Sequence, residues 1–569
     1  MPAAGLSSSE TLTNAGLGPL VPVPTARGRH GAVVAPHHLA TAAGLGVLRA
    51  GGNAIDAAIA TNAVLGVVMP NACGIGGDAF WLIWDAASGR ELALNGSGRA
   101  PSEADAGRLR DQGLVTLPLR GALAVTVPGA VRSWGDAHKR FGRLDRAAVL
   151  APAIELASAG FPAWDGFVDA VERTAPSIAA ALGPNAGFFE IYRPASRPWR
   201  PGEIVRLPGL AGTLEHLATT GFDAFYEGDL GDQQARTLRG LGLSCTAADF
   251  VNHTSTWTAP IETTYRGLRV TTHPPNASGI VALEMLNILE AFDGPGPEAF
   301  GPDGVRDVRW IHLAIEAAKR AMADRDAALT DPDHMDVPVE HLLDKGYAAE
   351  LARGIDPVRA SDPPVATNPP GGGTIYLATV DGDGNAVSLI ESNYMGFGSG
   401  VVDPQTGIHY QNRGSYFSLD ADHPNVLAPG KRTLHTLMPG MLFRDDRAEP
   451  WIVAGSMGGD AQPQVHAQLV SALIDGGLDI RSAISIPRWF VEPAAHFEPP
   501  REVRAEPRFG PGVLEGLEAM GHPVTRTLPF DGRLGHEHAI ELVEGGPAAP
   551  DGSVAAATDP RSAGLPAVW

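Results

Sequence analysis

The chain changes character abruptly at residue 374. Upstream, Asp356 to Gly373 carries Pro357, Pro363, Pro364, Pro369 and Pro370 and ends in Gly371-Gly372-Gly373, a composition that favours a solvated loop over packed structure. Downstream, Thr374-Ile375-Tyr376-Leu377-Ala378-Thr379-Val380 is strand-like, turns at Asp381-Gly382-Asp383-Gly384 and returns through Ala386 to Ile390, so it reads as a buried hairpin. A flexible leader therefore meets a rigid strand at Thr374. If the backbone is cut before Thr374, one residue holds both a hydroxyl nucleophile and a free amine able to take its proton, and no separate base is required. Taken alone, these residues also fit an ordinary loop-to-strand junction that contains a threonine.

With 569 residues, no evident repeat and no long linker, the chain reads as one large globular body. Hydrophobic residues make up 44% and charged residues 19%, enough to bury a substantial core. The formal charge of −21 argues against general nucleic-acid binding. It also means that an anionic substrate must be drawn by a local cationic pocket against the global field. Cys73 and Cys245 are the only cysteines; they are too few for a disulfide framework and lack zinc-ligand spacing, which leaves at most a single bridge. Residues Met1 to Glu10 lack the charged start and apolar core of a secretory signal, and no apolar run would span a bilayer. The expectation is a cytoplasmic protein with no membrane contact.

A Ser/Gly/Pro tail is expected over residues 1–27, with order beginning near Gly31. Leu39, Ala43 and Val47, then Ile55, Ile59 and Val64, predict two helices separated by Gly51-Gly52 and closed by Pro70. Ala79 to Trp84 is a strand candidate pairing with Glu91 to Asn95 across Ala87-Ser88-Gly89. Apolar residues three and four apart predict helices over Ala147 to Ala159 and Trp310 to Asp326. Val465, Leu469 and Leu473 mark another, starting near Pro463 and stopping at Gly476-Gly477. Periodicity alone gives a fold of the α/β or α+β class.

Several separated stretches share one order along the chain: Gly51-Gly52-Asn53-Ala54-Ile55-Asp56-Ala57-Ala58, Gly74-Ile75-Gly76-Gly77-Asp78, Gly98-Arg99-Ala100-Pro101, Val127-Pro128-Gly129 and Pro274-Pro275-Asn276-Ala277-Ser278-Gly279. Thr374 with Asp381 to Asn385, Phe397-Gly398-Ser399-Gly400, Pro429-Gly430-Lys431-Arg432 and Gly455-Ser456-Met457-Gly458-Gly459 follow. In this pattern the chain resembles the γ-glutamyltranspeptidase family of N-terminal-nucleophile hydrolases, nearest the oxamate amidohydrolase and cephalosporin acylase branch. The resemblance implies an α+β fold, an αββα four-layer sandwich. It also implies self-cleavage between Gly373 and Thr374 into a large subunit, 28–373, and a small subunit, 374–569, intertwined in one domain. No cofactor is implied, and the partners are the two subunits and a small anionic amide, with room for a homodimer of processed heterodimers.

The same resemblance assigns candidate roles. Thr374 is the nucleophile, its freed α-amine having a reference pKa of about 7.7–8.0 that suits a general base near neutrality. Ser392 is the residue that hydrogen-bonds it, and Gly458 and Gly459 are the oxyanion donors, each such donor worth about 3–4 kcal/mol. Arg99 matches the arginine that grips a substrate carboxylate, a task suited to its planar fork. The asparagine, glutamine and acidic residue that hold the α-amine of a glutamyl group are replaced by Tyr394, Arg413 and Tyr416, and His435 and Thr436 stand where two serines are expected. An ammonium facing Arg413 at ~4 Å would cost about 4 kcal/mol at an effective dielectric near 20. The acyl group expected is therefore one with a carboxylate and no α-amine, oxamate-like or glutaryl-like.

Two other readings stand beside this one: a glutathione hydrolase or γ-glutamyltransferase of the same chemistry, and a binding protein on the same scaffold that never matures. His536-Glu537-His538 lacks the helical spacing of a metalloprotease site, and Gly74 to Asp78 lacks the dinucleotide-loop spacing and precedes its strand.

Overall fold

The computed structural model describes residues 24–184, 186–194, 196–361, 373–491 and 502–569. The predicted hairpin is the centre of the molecule. Gly373–Val380 pairs antiparallel with Ala386–Tyr394, and Asp381 shapes the turn, its Oδ1 accepting from the N–H groups of Asp383 and Asn385, both at 3.0 Å. The other oxygen of Asp381 accepts from Ala54 N at 3.0 Å, and Thr379 Oγ1 donates to Ala54 O at 2.7 Å. The hairpin is thereby fastened to the start of the helix Ala54–Val68, which Asn53 and Asp56 close with a capping box.

Two seven-stranded sheets form the interior. In order across the first lie Ala567–Val568, Ala32–Val34, Gly373–Val380, Ala386–Tyr394, Asp78–Asp85, Arg90–Gly96 and Thr256–Thr258, all antiparallel neighbours. The second runs Ala26–Gly28, Ser553–Thr558, His536–Val543, Pro450–Met457, Pro439–Phe443, Leu268–Thr272 and Ile261–Tyr265, again antiparallel throughout.

Side chains alternate along each strand, and the alternation divides the core. Phe80, Leu82, Tyr376, Ala378 and Ile390 meet Met441, Val453 and Ile540 between the sheets. The intervening Trp81, Ile83, Ile375, Leu377 and Leu389 face the helices Ala54–Val68 and Arg146–Ala159. On the far side Leu442, Ile452 and Ala454 pack against Gly279–Glu290, Val308–Ala328 and Gln462–Ile474. The result is the expected α+β sandwich of four layers, αββα.

The predicted helices form at His38–Arg49, Ala54–Val68, Arg146–Ala159, Val308–Ala328 and Gln462–Ile474, the last with Pro463 in its first turn. The expected tail differs at its end. Residues 1–23 lie outside the described residues, but Ala26 and Arg27 belong to a strand paired with Ala556 and Ala555. Cys73 and Cys245 are both free and buried. Among the described residues, no helix is long and apolar enough to cross a membrane.

The leader is held at both flanks, while 362–372, including Gly371 and Gly372, lie outside the described residues. Upstream, Lys319 Nζ donates to Ser361 O at 2.8 Å, Ser361 N donates to Glu316 at 3.1 Å and Ala360 N donates to Met520 O at 2.7 Å. Downstream, Gly373 enters the sheet in a space that a side chain could not share, since a Cβ there would meet Tyr394 O at 3.0 Å and Asn71 O and Gly396 N at 3.1 Å.

Candidate active site

The period of two that buries Tyr376 between the sheets also turns Thr374 toward that gap, at the strand's first positions. Pairing register sets its neighbours: Thr374 lies opposite Ser392, and Ser392 opposite Asp78. Three polar side chains thus cross the end of one sheet in a row, and all three are buried. The pairing skips Asn393 between Ser392 and Tyr394, a bulge that re-aims the strand end beside the candidate nucleophile.

Ser392 is the hub. Thr374 Oγ1 donates to Ser392 Oγ at 3.0 Å, Ser392 Oγ donates to Gly373 O at 2.6 Å, and Tyr394 N donates to Ser392 Oγ at 2.7 Å. One hydroxyl therefore touches the candidate nucleophile and the carbonyl that it must attack to cut the chain.

Arg413 completes this shell. It opens the short 3₁₀ turn Arg413–Tyr416, which packs so closely that a Cβ on Gly414 would lie 2.8 Å from Ala124 O. Its guanidinium donates to Ser392 Oγ and to Thr436 Oγ1, each at 3.4 Å. The guanidinium carbon sits 4.4 Å from the ring centroid of Tyr394 and 5.5 Å from that of Tyr416, cation–π contacts that partly replace water. Arg413 is 1% exposed, and among the described residues no carboxylate lies within ion-pairing distance of it. Nε has no hydrogen-bond partner. Tyr394 holds a positive φ of 73°, a conformation that bulky residues rarely adopt and that needs its surroundings to maintain it.

The glycine pair lies between the strand Pro450–Met457 and the helix Gln462–Ile474. Gly458 has φ 140° and Gly459 φ 59°, and a Cβ on Gly458 would approach Gly535 Cα to 3.1 Å. Both positions therefore require glycine. Asp460 follows directly. Its carboxylate accepts from Tyr416 Oη at 3.2 and 3.3 Å and pairs with the buried Arg325, which also holds Asp326 at 2.7 Å. The oxyanion candidates are thereby tied to the tyrosine under Arg413.

His435 faces Asp78, with Nε2 3.1 Å from Oδ2, and both are fully buried. The other oxygen of Asp78 accepts from Gly98 N at 2.8 Å and Gly129 N at 3.1 Å. Burial pushes the Asp78 carboxyl up to about 7, against the opposing pull of Arg413, those two N–H groups and Arg432. Burial pushes His435 well below its ordinary value, with Arg413 and Arg432 acting in the same direction.

Arg99 is placed differently from the rest. Its Nη1 donates to Asp331 at 3.2 Å and to Gly430 O at 3.0 Å, and its side chain is one-third exposed. The structure gives it no hydrogen bond to Thr374, Ser392 or Arg413. Thr374, Ser392, Tyr394, Arg413, Tyr416 and Thr436 are joined through direct contacts, His435 adjoins Thr436 in the chain and faces Asp78, and Gly458 and Gly459 connect through Asp460. Sequence reasoning assigned no role to Asp78, Asp460 or Arg325. Asp78 closes the Gly74 to Asp78 stretch and Asp460 adjoins Gly459, so two of the three were marked by position; Arg325 carried no local signal.

Residues 40–569 match the family described as Gamma-glutamyltranspeptidase. The chain is 40% identical over 535 residues to the glutathione hydrolase-like YwrD proenzyme of Bacillus subtilis, covering 94% of this chain and 97% of that one. It is 38% identical over 548 residues to the oxamate amidohydrolase proenzyme of Klebsiella pneumoniae, covering 95% and 98%. Among solved structures, a cephalosporin acylase from Bacillus halodurans superposes with a TM-score of 0.87 at 39% identity, over 96% of this chain and 97% of that chain. Coverage near the full length of each relative, together with the shared four-layer sandwich, makes the chain a member of the γ-glutamyltranspeptidase family of N-terminal-nucleophile hydrolases.

Proposed function

We propose that the protein is a self-processing amidohydrolase that forms an acyl-enzyme on Thr374 with acyl groups bearing a carboxylate and no α-amine. The observation that carries this reading is Arg413: a buried guanidinium without an ion-paired carboxylate among the described residues, in contact with the serine that hydrogen-bonds Thr374. An unpaired charge in the interior is expensive, and a substrate carboxylate would supply the missing partner through the fork of Nη and Nε donors.

In maturation, Thr374 Oγ1 attacks the Gly373 carbonyl carbon, the peptide C–N bond breaks to leave an ester, and water hydrolyses that ester. Gly373 becomes a carboxylate and Thr374 gains a free α-amine. Ser392 supports this step by donating to the carbonyl oxygen whose charge grows. In turnover the α-amine takes the proton of its own hydroxyl, Oγ1 attacks the substrate amide, and the N–H groups of Gly458 and Gly459 stabilise the oxyanion. The amine leaves with a proton, and water releases the acid.

Arg413 and Thr374 share Ser392 as a common neighbour, so the anion site lies close to the attacked carbon. That proximity favours a carboxylate bonded directly to the carbonyl, as in oxamate, over one at the end of a glutaryl chain. The relative described as an oxamate amidohydrolase supports the first of these choices. The glutathione-hydrolase reading would need a carboxylate for the ammonium, and Asp460 is the candidate. Arg325 and Tyr416 already engage it.

The test is the specificity constant of the matured protein on oxamate, a glutaryl anilide and a γ-glutamyl anilide. The reading expects oxamate first and the γ-glutamyl compound last; a strong preference for the γ-glutamyl compound refutes it. A wild-type protein that remains one chain would favour the binding-protein reading.

A further inference from the structure

We propose that Asp78 and His435 form the proton-accepting element of the Arg413 site, so that an acyl carboxylate binds Arg413 together with a proton taken up by this pair. The inference rests on the reading of Arg413 as the carboxylate receptor and adds a positioning pair that compensates its charge.

The geometry places one negative charge where two would have to coexist. Asp78 lies opposite Ser392 in the sheet, and Ser392 Oγ is the atom that Arg413 Nη2 contacts at 3.4 Å. Asp78 is a buried carboxylate at this end of the sheet, held by the N–H groups of Gly98 and Gly129. Its second oxygen faces His435 Nε2 at 3.1 Å without a hydrogen bond to complete it, and His435 Nδ1 is unpartnered as well. His435 is fixed by its own backbone, its N–H donating to Asn276 O at 2.8 Å, and by an edge-on contact with Phe80.

The charged groups that act on the pair lie in the same buried region, and Asp460 acts on Arg413 there too. Arg413 and Arg432 act on both residues, His273 acts on His435, and Glu391, on the strand beside Asp78, is itself raised in part by the Asp78 charge. Tyr226 senses Asp78 from the other side. Asp78 and Asp460 both act on the Arg413 charge, and Asp460 is already paired with Arg325. A substrate carboxylate on Arg413 brings a second anion into the same dry volume, and when two carboxylates share one site one of them is driven to take a proton. The raised Asp78 carboxyl is already close to doing so near neutrality, whereas the substrate carboxylate, bound to the guanidinium, stays ionised.

The inference is tested by calorimetric titration of the matured enzyme with oxalate, the acid product of oxamate hydrolysis, at pH 8 in two buffers of different ionisation enthalpy. The expected result is an uptake of about one proton per oxalate in the wild type and almost none in Asp78→Asn, with oxamate KM rising up to about tenfold per pH unit above neutrality in the wild type alone. The α-amine of Thr374 is common to both proteins and cancels in the comparison. Should Asp78→Asn not mature, His435→Gln serves instead, with the midpoint of the oxalate pH profile expected to move by about one unit; an unmoved midpoint overturns the inference. Oxalate binding without proton uptake in the wild type, or full uptake in Asp78→Asn, overturns it while leaving Arg413 as the receptor. Absence of oxalate binding overturns both.

Discussion

Ser392 Oγ accepts the hydroxyl of Thr374 at 3.0 Å while donating to the carbonyl oxygen of Gly373 at 2.6 Å. In the proposed mechanism a single side chain therefore orients the attacking oxygen and polarises the bond that is attacked. Removing a hydrogen bond to a group that gains charge is worth about 1.5–3 kcal/mol, or roughly 10- to 150-fold in rate. Ser392→Ala should slow conversion of precursor to subunits by that factor, followed as band intensities over time, and Ser392→Thr should retain most of the rate. Maturation of the alanine variant at the wild-type rate would remove Ser392 from the mechanism.

Arg413 separates a binding role from a structural one. Arg413→Met removes the charge proposed to hold a substrate carboxylate, so kcat/KM for oxamate should fall by about 100-fold or more. Thermal stability should hold steady or rise, because an apolar side chain replaces a buried charge that has no ion-paired partner. A large loss of Tm with unchanged KM would make Arg413 a structural residue.

Gly458 has φ 140° and abuts Gly535. If Gly458 is the oxyanion donor proposed above, Gly458→Ala displaces its N–H, and loss of one such donor lowers kcat by about 10²–10³. The expected signature is a fall in kcat with KM little changed, measured on protein already matured.

Stability should vary with pH through the buried carboxyl of Glu391. Burial pushes it up to about 8, opposed by Gly74 N at 2.8 Å and by Asn62. A carboxyl raised in the folded state favours folding below its unfolded value, near 4.5, and that contribution is lost as pH rises through about 8. Glu391→Gln keeps the acceptor for Gly74 and removes the titration. Its Tm relative to wild type should be higher at pH 8.5 than at pH 5; a difference that does not change with pH would show that Glu391 does not titrate in this range.

What could be read from the sequence was local. The hairpin at 374–390 was legible because Asp381 and Asn385 carry turn chemistry and the flanking residues are β-branched or aromatic. The helix at 54–68 announced itself through Ile55, Ile59 and Val64 between Gly51-Gly52 and Pro70, and that at 462–474 through Pro463 and the spacing of Val465, Leu469 and Leu473. Arg413, Tyr394 and Tyr416 could be singled out only through the family resemblance, aligned outward from Thr374, and nothing in it showed that the guanidinium lies over both rings. The contacts that were missed join distant segments. Asp78 meets Ser392 only through strand pairing, Arg325 meets Asp460 from a helix 135 residues away, and Arg99 is occupied by Asp331. No periodicity encodes such pairings, because they follow from the order of strands and helices in the finished sandwich.

The central claim is that backbone scission at Thr374 creates the active site. N-terminal sequencing of the fully active protein, run beside the Thr374→Ala variant, tests it directly. The account predicts a second terminus beginning Thr374-Ile375-Tyr376 in the wild type and a single uncut, inactive chain in the variant. Full activity without a terminus at residue 374 would contradict it.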